Sequence, residues 1–494
     1  MLRATEQRQP RVLYCTDTYP PQVNGVSVVT ALSVAGLRAR GWSVGVIAPR
    51  YPVQSRRDVR PFVDEFADAD YHVTVPSVYF PPYPDIRLAA PSYSRVARVL
   101  RARQPDLVHC ATEFMIGRLG QIAARRAGIP IVTSYHTDFS RYTEAYGAPW
   151  MRPAVSRYLA RFHSRAQRSY TPSAAARADL QALGVDDVEV WGRTVDTRVF
   201  APRFRDQYVR RMLDIDDQFI FLHVGRLAHE KGVHWILAAF ALAQRLLPAN
   251  SVRLIIAGGG PAEPALRAAA PPGVTFLGVL DRTKRLPQLY ASADAFVFSS
   301  LTETLGLVVL EAMASGLPIV ATPAGGVADH LRDGENGLEF GPGAVDQMAD
   351  AMVRLAMNPG LRDRLSRGAR ATAEALDWEG ELDRLDESYR EVCGLSPRRE
   401  SGTTEEGTAD SRQSRTNAPL DGTRSGSTRA CSLSVSDGSS SGLACTCGVT
   451  STSNGHLGGR PFDGIPRRVC VGSPEARRAE RNALRSEPLV VVAD

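Results

Sequence analysis

Short unbroken runs of Val, Ile and Leu recur along the first 390 or so residues, and helical stretches separate them. Arg11-Val-Leu-Tyr-Cys15, Ser43-Val-Gly-Val-Ile-Ala48, Asp106-Leu-Val-His-Cys110 and Pro130-Ile-Val-Thr-Ser134 form a first set. Phe219-Ile-Phe-Leu-His-Val224, Val252-Arg-Leu-Ile-Ile-Ala257, Val274-Thr-Phe-Leu277, Ala295-Phe-Val-Phe298 and Pro318-Ile-Val-Ala321 form a second. A strand with one wet face alternates apolar and polar residues. A continuous run belongs in a parallel sheet covered by helices on both faces. Two such sets predict an α/β chain of two doubly wound, Rossmann-like domains, over 1–200 and 215–375. Pro202 to Asp217 reads as the polar joint between them.

Composition agrees, at 44 % hydrophobic and 23 % charged residues over 494 positions. No apolar run reaches the roughly 18 residues of a membrane helix. The polar start, Met1 to Pro10, does not read as a secretory signal, so a cytoplasmic location is the default expectation. Residues 396–494 carry 16 Ser, 12 Gly and 9 Thr, too little apolar material to offset the entropy of ordering, and are expected to be disordered. Cys431, Cys445, Cys447 and Cys470 of that tail lack the paired spacing of zinc sites, and no metal is expected. Net charge is +6, which is not a nucleic-acid-binding balance. Of 59 basic residues only Lys231 and Lys284 are lysine, so a lysine kept against that bias draws notice.

Parallel sheets bind ligands outside the carboxyl ends of their strands. Three loops there carry unusual residues. Thr16-Asp17-Thr-Tyr-Pro-Pro-Gln-Val-Asn24-Gly25 opens onto a helix, where backbone amides and the helix dipole suit an anion. Gly225-Arg226-Leu-Ala-His-Glu230-Lys231-Gly232 places two cations five apart between glycines, which suits a diphosphate. Ser299-Ser-Leu-Thr-Glu303-Thr-Leu305-Gly306-Leu307, followed by Glu311, offers carboxylates for sugar hydroxyls and free amides for phosphate.

Glu303, seven residues and then Glu311, ahead of Ala-Met-Ala-Ser-Gly-Leu-Pro318, resembles the signature of the retaining glycosyltransferases of the GT-B fold, family GT4. The Arg226/Lys231 loop, the Pro20 to Val26 opening and Trp191 to Phe200 resemble the same family, over about residues 11–393. The resemblance implies that a closing helix, 376–394, crosses back onto the first, acceptor-binding domain. It implies that Arg226 and Lys231 bind the donor diphosphate in place of a metal, so that no cofactor is required. It implies that Glu311 holds the ribose, and that Glu303 with the Leu305-Gly306-Leu307 backbone holds the transferred sugar. Gly25 would let the first loop close over the phosphates. His136 would lie at the reactive face, and Asp17 and Asn24 near the same cleft. Val279 and Leu280, in Gly278-Val-Leu280, would read the base. The metal-dependent alternative carries Asp-x-Asp; Asp68-Ala-Asp70 and Asp214-Ile-Asp216 follow no clear strand and read as loop acids.

Phe139-Ser-Arg-Tyr, Trp150 to Tyr170 and Tyr83-Pro-Asp-Ile-Arg-Leu-Ala resemble bacterial GDP-mannose-dependent α-mannosyltransferases of glycolipid synthesis. UDP-sugar-dependent transfer of glucosyl, N-acetylglucosaminyl or sulfoquinovosyl groups is the alternative. A lipid or glycolipid acceptor would place the enzyme peripherally at the inner face of the cell membrane. Arg157, Arg161, Arg165 and Arg168 are expected to share one helical face, either a solvated one or one that lies on an anionic leaflet. A nucleotide-sugar 2-epimerase shares the fold but would lack the Glu303/Glu311 pattern. A nicotinamide enzyme would carry Gly-x-Gly-x-x-Gly after its first strand, which is absent. A non-catalytic scaffold would not be expected to keep Arg226, Lys231, Glu303, Glu311 and His136 together.

Overall fold

The structure is a computed structural model of the 494-residue chain. It describes residues 8–51, 69–80, 83–137, 139, 143, 148–192, 195–215, 217–398 and 492–493. Residues 399–491 and 494 of the serine- and glycine-rich tail, with its four cysteines, lie outside the described residues, as do Asp68 and Asp216.

Two parallel sheets organise the chain. The first has seven strands: β1 (Arg11–Cys15), β2 (Ser43–Pro49), β3 (Tyr71–Val75), β4 (Leu107–Cys110), β5 (Ile131–Ser134), β6 (Arg168–Thr171) and β7 (Val188–Val190). Their order across the sheet is β7-β6-β5-β4-β1-β2-β3. The second has six: β8 (Phe219–Val224), β9 (Val252–Ala257), β10 (Val274–Gly278), β11 (Ala295–Phe298), β12 (Ile319–Ala321) and β13 (Gly337–Glu339), ordered β10-β9-β8-β11-β12-β13. In both, strand order reverses once, between β1 and β4 and between β8 and β11. Those two reversals are the crevices where such sheets take ligands.

The continuous apolar runs behave as expected. In β8, Ile220, Leu222 and Val224 pack into one core cluster while Phe221 packs into the other, on the opposite face. In β1, Val12 and Tyr14 face one core and Leu13 and Cys15 the other. Each such fully buried aliphatic side chain contributes about 1.5–3 kcal/mol.

Strands β3, β6, β7 and β13 are not marked by the sequence reading. They are short or lie at sheet edges, and β3 and β7 are only partly buried, so their residues carry no continuous apolar run. The Tyr83 segment forms a hairpin outside the main sheet, Tyr83–Ala89 paired antiparallel with Ser77–Phe80. The stretch Pro202 to Asp217 is not simply a polar joint. It contains a short helix, Gln207–Met212, whose Arg210 is buried and donates to Ser292 O (3.0 Å) and Asp294 Oδ2 (3.1 Å) of the second domain. Ile215 enters that domain's core.

The last described helix, Trp378–Cys393, packs on the first domain, not the second. Leu382, Leu385 and Tyr389 join the cluster of Val12, Tyr14 and Trp42. Trp42 Nε1 donates to Asp386 Oδ1 at 2.6 Å, and Trp191 Nε1 to the Glu381 carbonyl at 2.7 Å. Leu382 lies so close to Gly36 that any Cβ there would meet it at 2.3 Å. The helix reaches toward the loop after β5 through a polar chain. Tyr389 bonds His109 Nδ1, and His109 Nε2 bonds Ser134 Oγ at 2.7 Å, two residues before His136.

Candidate functional site

The two loops at the second sheet's crevice meet in a buried ion pair. The loop after β8 supplies Lys231, and the loop after β11 supplies Glu303. Lys231 Nζ stands 2.6 Å from Glu303 Oε1, and both side chains are under 5 % exposed. Burial alone would push the Glu303 carboxyl up. The Lys231 ammonium beside it and the more distant Arg226 override that and hold it below the usual carboxylate value. Arg226 is paired with Glu230 one turn along the same loop. Cations and carboxylates therefore alternate along one crevice, a pattern suited to a ligand that is part phosphate and part sugar.

Glycine makes this approach of loops possible. A Cβ on Gly258 would fall 1.9 Å from the Gly225 carbonyl, and one on Gly260 2.5 Å from that of Leu227. Gly306 takes φ +75 and opens helix Leu307–Ala314. Leu305 and Leu307 bury their side chains in the core. Val309 N bonds the Gly306 carbonyl at 2.9 Å, and the amides of Leu307 and Val308 precede the first intrahelical bond.

Glu311, five residues into the helix, is fully buried. Its Oε1 accepts from Arg282 Nε at 2.9 Å and its Oε2 from the Tyr290 hydroxyl at 3.2 Å. Arg282 also lies over the Phe200 ring. Val279 and Leu280 follow β10 beside the Gly258–Gly260 turn, with Gly258 N donating to Gly278 O at 2.7 Å.

His136 follows β5 in the first domain, and its carbonyl accepts from Thr304 Oγ1, at 2.5 Å. That bond joins the first domain's strand-end loop to the residue after Glu303. Burial first, and then the charge of His163, push the His136 imidazole down to about 4, so it is neutral at pH 7. Gly25 is the first residue of helix Gly25–Ala39. Asn24 is its cap: Oδ1 accepts from Ser27 N at 2.8 Å, and Nδ2 donates to Thr18 Oγ1. Asp17 occupies the first sheet's own crevice. It accepts from Thr112 Oγ1 at 2.7 Å and from Ile116 N at 3.0 Å, capping helix Met115–Ala127. The carboxylate of Asp17 and the amide of Asn24 are thus engaged in holding loops rather than turned out to a ligand.

One expectation is corrected. Neither Arg165, in the turn after the helix, nor Arg168 shares the helical face of Arg157 and Arg161. The helix ends at His163, and Arg168 begins β6, paired with Asp187, Glu189 and Glu391. The carboxylates on the neighbouring strand and on the last helix draw it in.

Sequence reasoning also missed Arg282 and the pair Gly325-Gly326. The glycines lie in the turn after β12, where Gly326 N donates to the Glu303 carbonyl at 2.8 Å. A Cβ on Gly325 would fall 2.0 Å from that carbonyl, and one on Gly326 2.3 Å from that of Thr304. The signal available was a glycine pair directly after an apolar run. No signal marked Arg282, one arginine among 57.

Residues 23–199 match the model of Glycosyltransferase Family 4, and residues 218–358 that of Glycosyl transferases group 1. A GDP-mannose-dependent alpha-mannosyltransferase of Mycobacterium tuberculosis is 35 % identical over 385 residues, 78 % of this chain and 97 % of that one. The chain belongs to glycosyltransferase family 4. It is an enzyme of the transferase class with the GT-B fold. A sulfoquinovosyl transferase of Arabidopsis thaliana is 31 % identical over 67 % of each chain. Among solved structures, the Anabaena protein HepE in complex with UDP superposes with TM-score 0.61 at 19 % identity, covering 77 % of this chain and all of that one. That likeness speaks for the fold.

The buried histidines of this glycosyltransferase predict a pH dependence. Burial pushes His109 down to about 3 and His223 down to about 4. The folded state holds both neutral, while an unfolded histidine protonates below about 6.5. Their contribution is complete above that pH and is lost as pH falls toward the folded values. Unfolding free energy at pH 5 is expected to fall about 2 kcal/mol per histidine below its value at pH 7.5. Guanidinium titrations at the two pH values check this, and equal midpoints would contradict it.

Proposed function

We propose that this protein transfers a mannosyl residue from GDP-mannose to a lipid or glycolipid acceptor, with retention of configuration and without a metal ion. The observation that carries the reading is the Lys231–Glu303 pair at the strand-order reversal. It sets a cation for the leaving diphosphate against a carboxylate for the sugar hydroxyls, within one hydrogen bond of each other.

In this reading the bond from the sugar's C1 to the diphosphate breaks while a bond from C1 to the acceptor oxygen forms on the same face. The acceptor's proton passes to the departing diphosphate. No protein nucleophile is needed. Arg226 and Lys231 neutralise the charge that grows on the diphosphate oxygens, and the amides from Gly306 onward add their dipoles. Glu303 and neutral His136 fix the sugar's orientation. Glu311 takes the ribose hydroxyls, which then compete with Arg282 for its Oε1. Val279 and Leu280 meet the base.

Three relatives named GDP-mannose-dependent alpha-mannosyltransferase, at 29–35 % identity, support the choice of donor. A relative named alpha-monoglucosyldiacylglycerol synthase supports a lipid acceptor, and its name together with that of a sulfoquinovosyl transferase supports glucosyl or sulfoquinovosyl transfer, for which we take a UDP-sugar donor, as the second reading. Calorimetric titration with GDP, UDP and ADP in a chelator-containing buffer separates the two. GDP is expected to bind at least about tenfold more tightly than UDP, a difference of about 1.4 kcal/mol. A preference for UDP would transfer the donor assignment to the second reading, and binding that needs added metal would overturn the metal-free mechanism.

A further inference from the structure

A cavity of about 370 Å³ opens between helices Met115–Ala127 and Arg152–His163 of the first domain. Arg118, Arg157, Arg161 and Arg165 line it, over a floor that includes Tyr158 and Phe162. Two of the four have neutral acceptors: Arg118 donates to Gln121 Oε1 at 2.6 Å, and Arg157 to the Pro153 carbonyl at 3.1 Å. Among the described residues no carboxylate pairs with any of them. The acid nearby, Glu113, is buried and turned toward His163 Nε2, 3.5 Å away. Burial, and then the like charges of Arg118, Arg125 and Arg161, lower the Arg165 guanidinium below its usual value. Four forked cations around a concave, apolar-floored space call for an anion with several oxygens.

The rim says where that anion is held. The Tyr158 hydroxyl bonds the Glu113 carbonyl, which ties the arginine helix to the turn bearing exposed Phe114 and Met115. Trp150, 78 % exposed, and Met151 stand directly before the same helix. Exposed aromatic and thioether side chains beside unpaired arginines are the composition of a surface that lies in a lipid headgroup layer.

We propose that this pocket receives the phosphate of an anionic phospholipid headgroup, with Phe114, Met115, Trp150 and Met151 entering the interfacial layer around it. The proposal deepens the lipid-acceptor reading and rests on it for its purpose, but the binding is measurable without any sugar donor.

The test is flotation of the full chain, without nucleotide sugar, on vesicles of equal parts phosphatidylglycerol and phosphatidylcholine, and on phosphatidylcholine alone. The protein floats with the first and not the second. Arg161→Gln and Arg165→Gln, both at exposed positions, each weaken partition about fivefold at low salt. The pair Arg161→Lys/Arg165→Lys weakens it too, because lysine cannot fork two phosphate oxygens. Arg364→Gln/Arg367→Gln, a loss of two charges from an exposed part of the second domain against one in each pocket variant, leaves partition unchanged. Equal flotation on phosphatidylcholine overturns the proposal, as does an equal loss in the control pair. Saturable binding of inorganic phosphate at the pocket without flotation would make it a free-anion site and also overturn it. GDP binding measured on the same variants keeps the two sites apart: lost flotation with intact GDP binding reads the pocket alone.

Discussion

Lys231→Met is expected to slow transfer at least about 10²-fold, the usual cost of one preorganised charge-stabilising group, and to lower unfolding free energy by about 3–5 kcal/mol. The second effect is electrostatic. Lys231 and Glu303 are both buried, and their charges offset each other's desolvation. Removing the ammonium leaves a carboxylate without its counter-ion, and burial then raises the carboxyl until it takes a proton. Glu303→Leu is expected to cost a similar amount for the mirror-image reason. The double variant Lys231→Met/Glu303→Leu is expected to regain most of that stability, since a buried pair replaced by apolar side chains is close to neutral. It is not expected to regain activity. Guanidinium unfolding of the four proteins, with transfer rates on the same preparations, gives the double-mutant cycle. Additive losses in the double variant would mean that the two charges do not support each other.

Gly325→Ala is expected to slow transfer about 10²-fold, because a displacement of about 1 Å at a reacting centre has that effect. Gly325 takes φ +55, and an added Cβ would meet the Glu303 carbonyl at 2.0 Å. The backbone of Glu303 must then give way, and with it the carboxylate proposed to hold the sugar. Gly334→Ala is the control. Its φ is +73, but a Cβ there meets nothing within 4 Å. Both variants carry the left-handed strain of about 1–2 kcal/mol; Gly325→Ala adds the clash, so its melt should shift further and it alone should lose its rate. Equal rates in the two would show that the turn after β12 does not hold the Glu303 loop in place.

Much of the site was legible because its chemistry is local. Arg226, Lys231 and Gly232 lie within seven residues, and Glu303 to Glu311 within nine. Each group follows an apolar run, and the ends of such runs are where a parallel sheet exposes its loops. Roles set by packing between distant segments were not legible. Asp17 and Asn24 stand in a loop of the right kind, yet one caps a helix that begins at Met115 and the other caps the helix that follows it. Arg282 reaches Glu311 only because the loop after β10 and the helix it leads into, Arg285–Ser292, pack beside helix Leu307–Ala314 in the folded domain. Arg168 continued the periodic spacing of its predecessors, and nothing in that spacing announced the end of the helix at His163.

The sequence by itself determined the class of fold, the number of sheets and the loops that carry charge, because hydrophobic periodicity and glycine placement act over a few residues. Only the tertiary structure decided which charges face one another. It brought Lys231 to Glu303 across 72 positions, set the Thr304 hydroxyl on the His136 carbonyl across 168, and emptied one arginine cluster of acids while filling Arg168's surroundings with them. Burial and partner choice are properties of the assembled chain, and the electrostatics of a site follows from them.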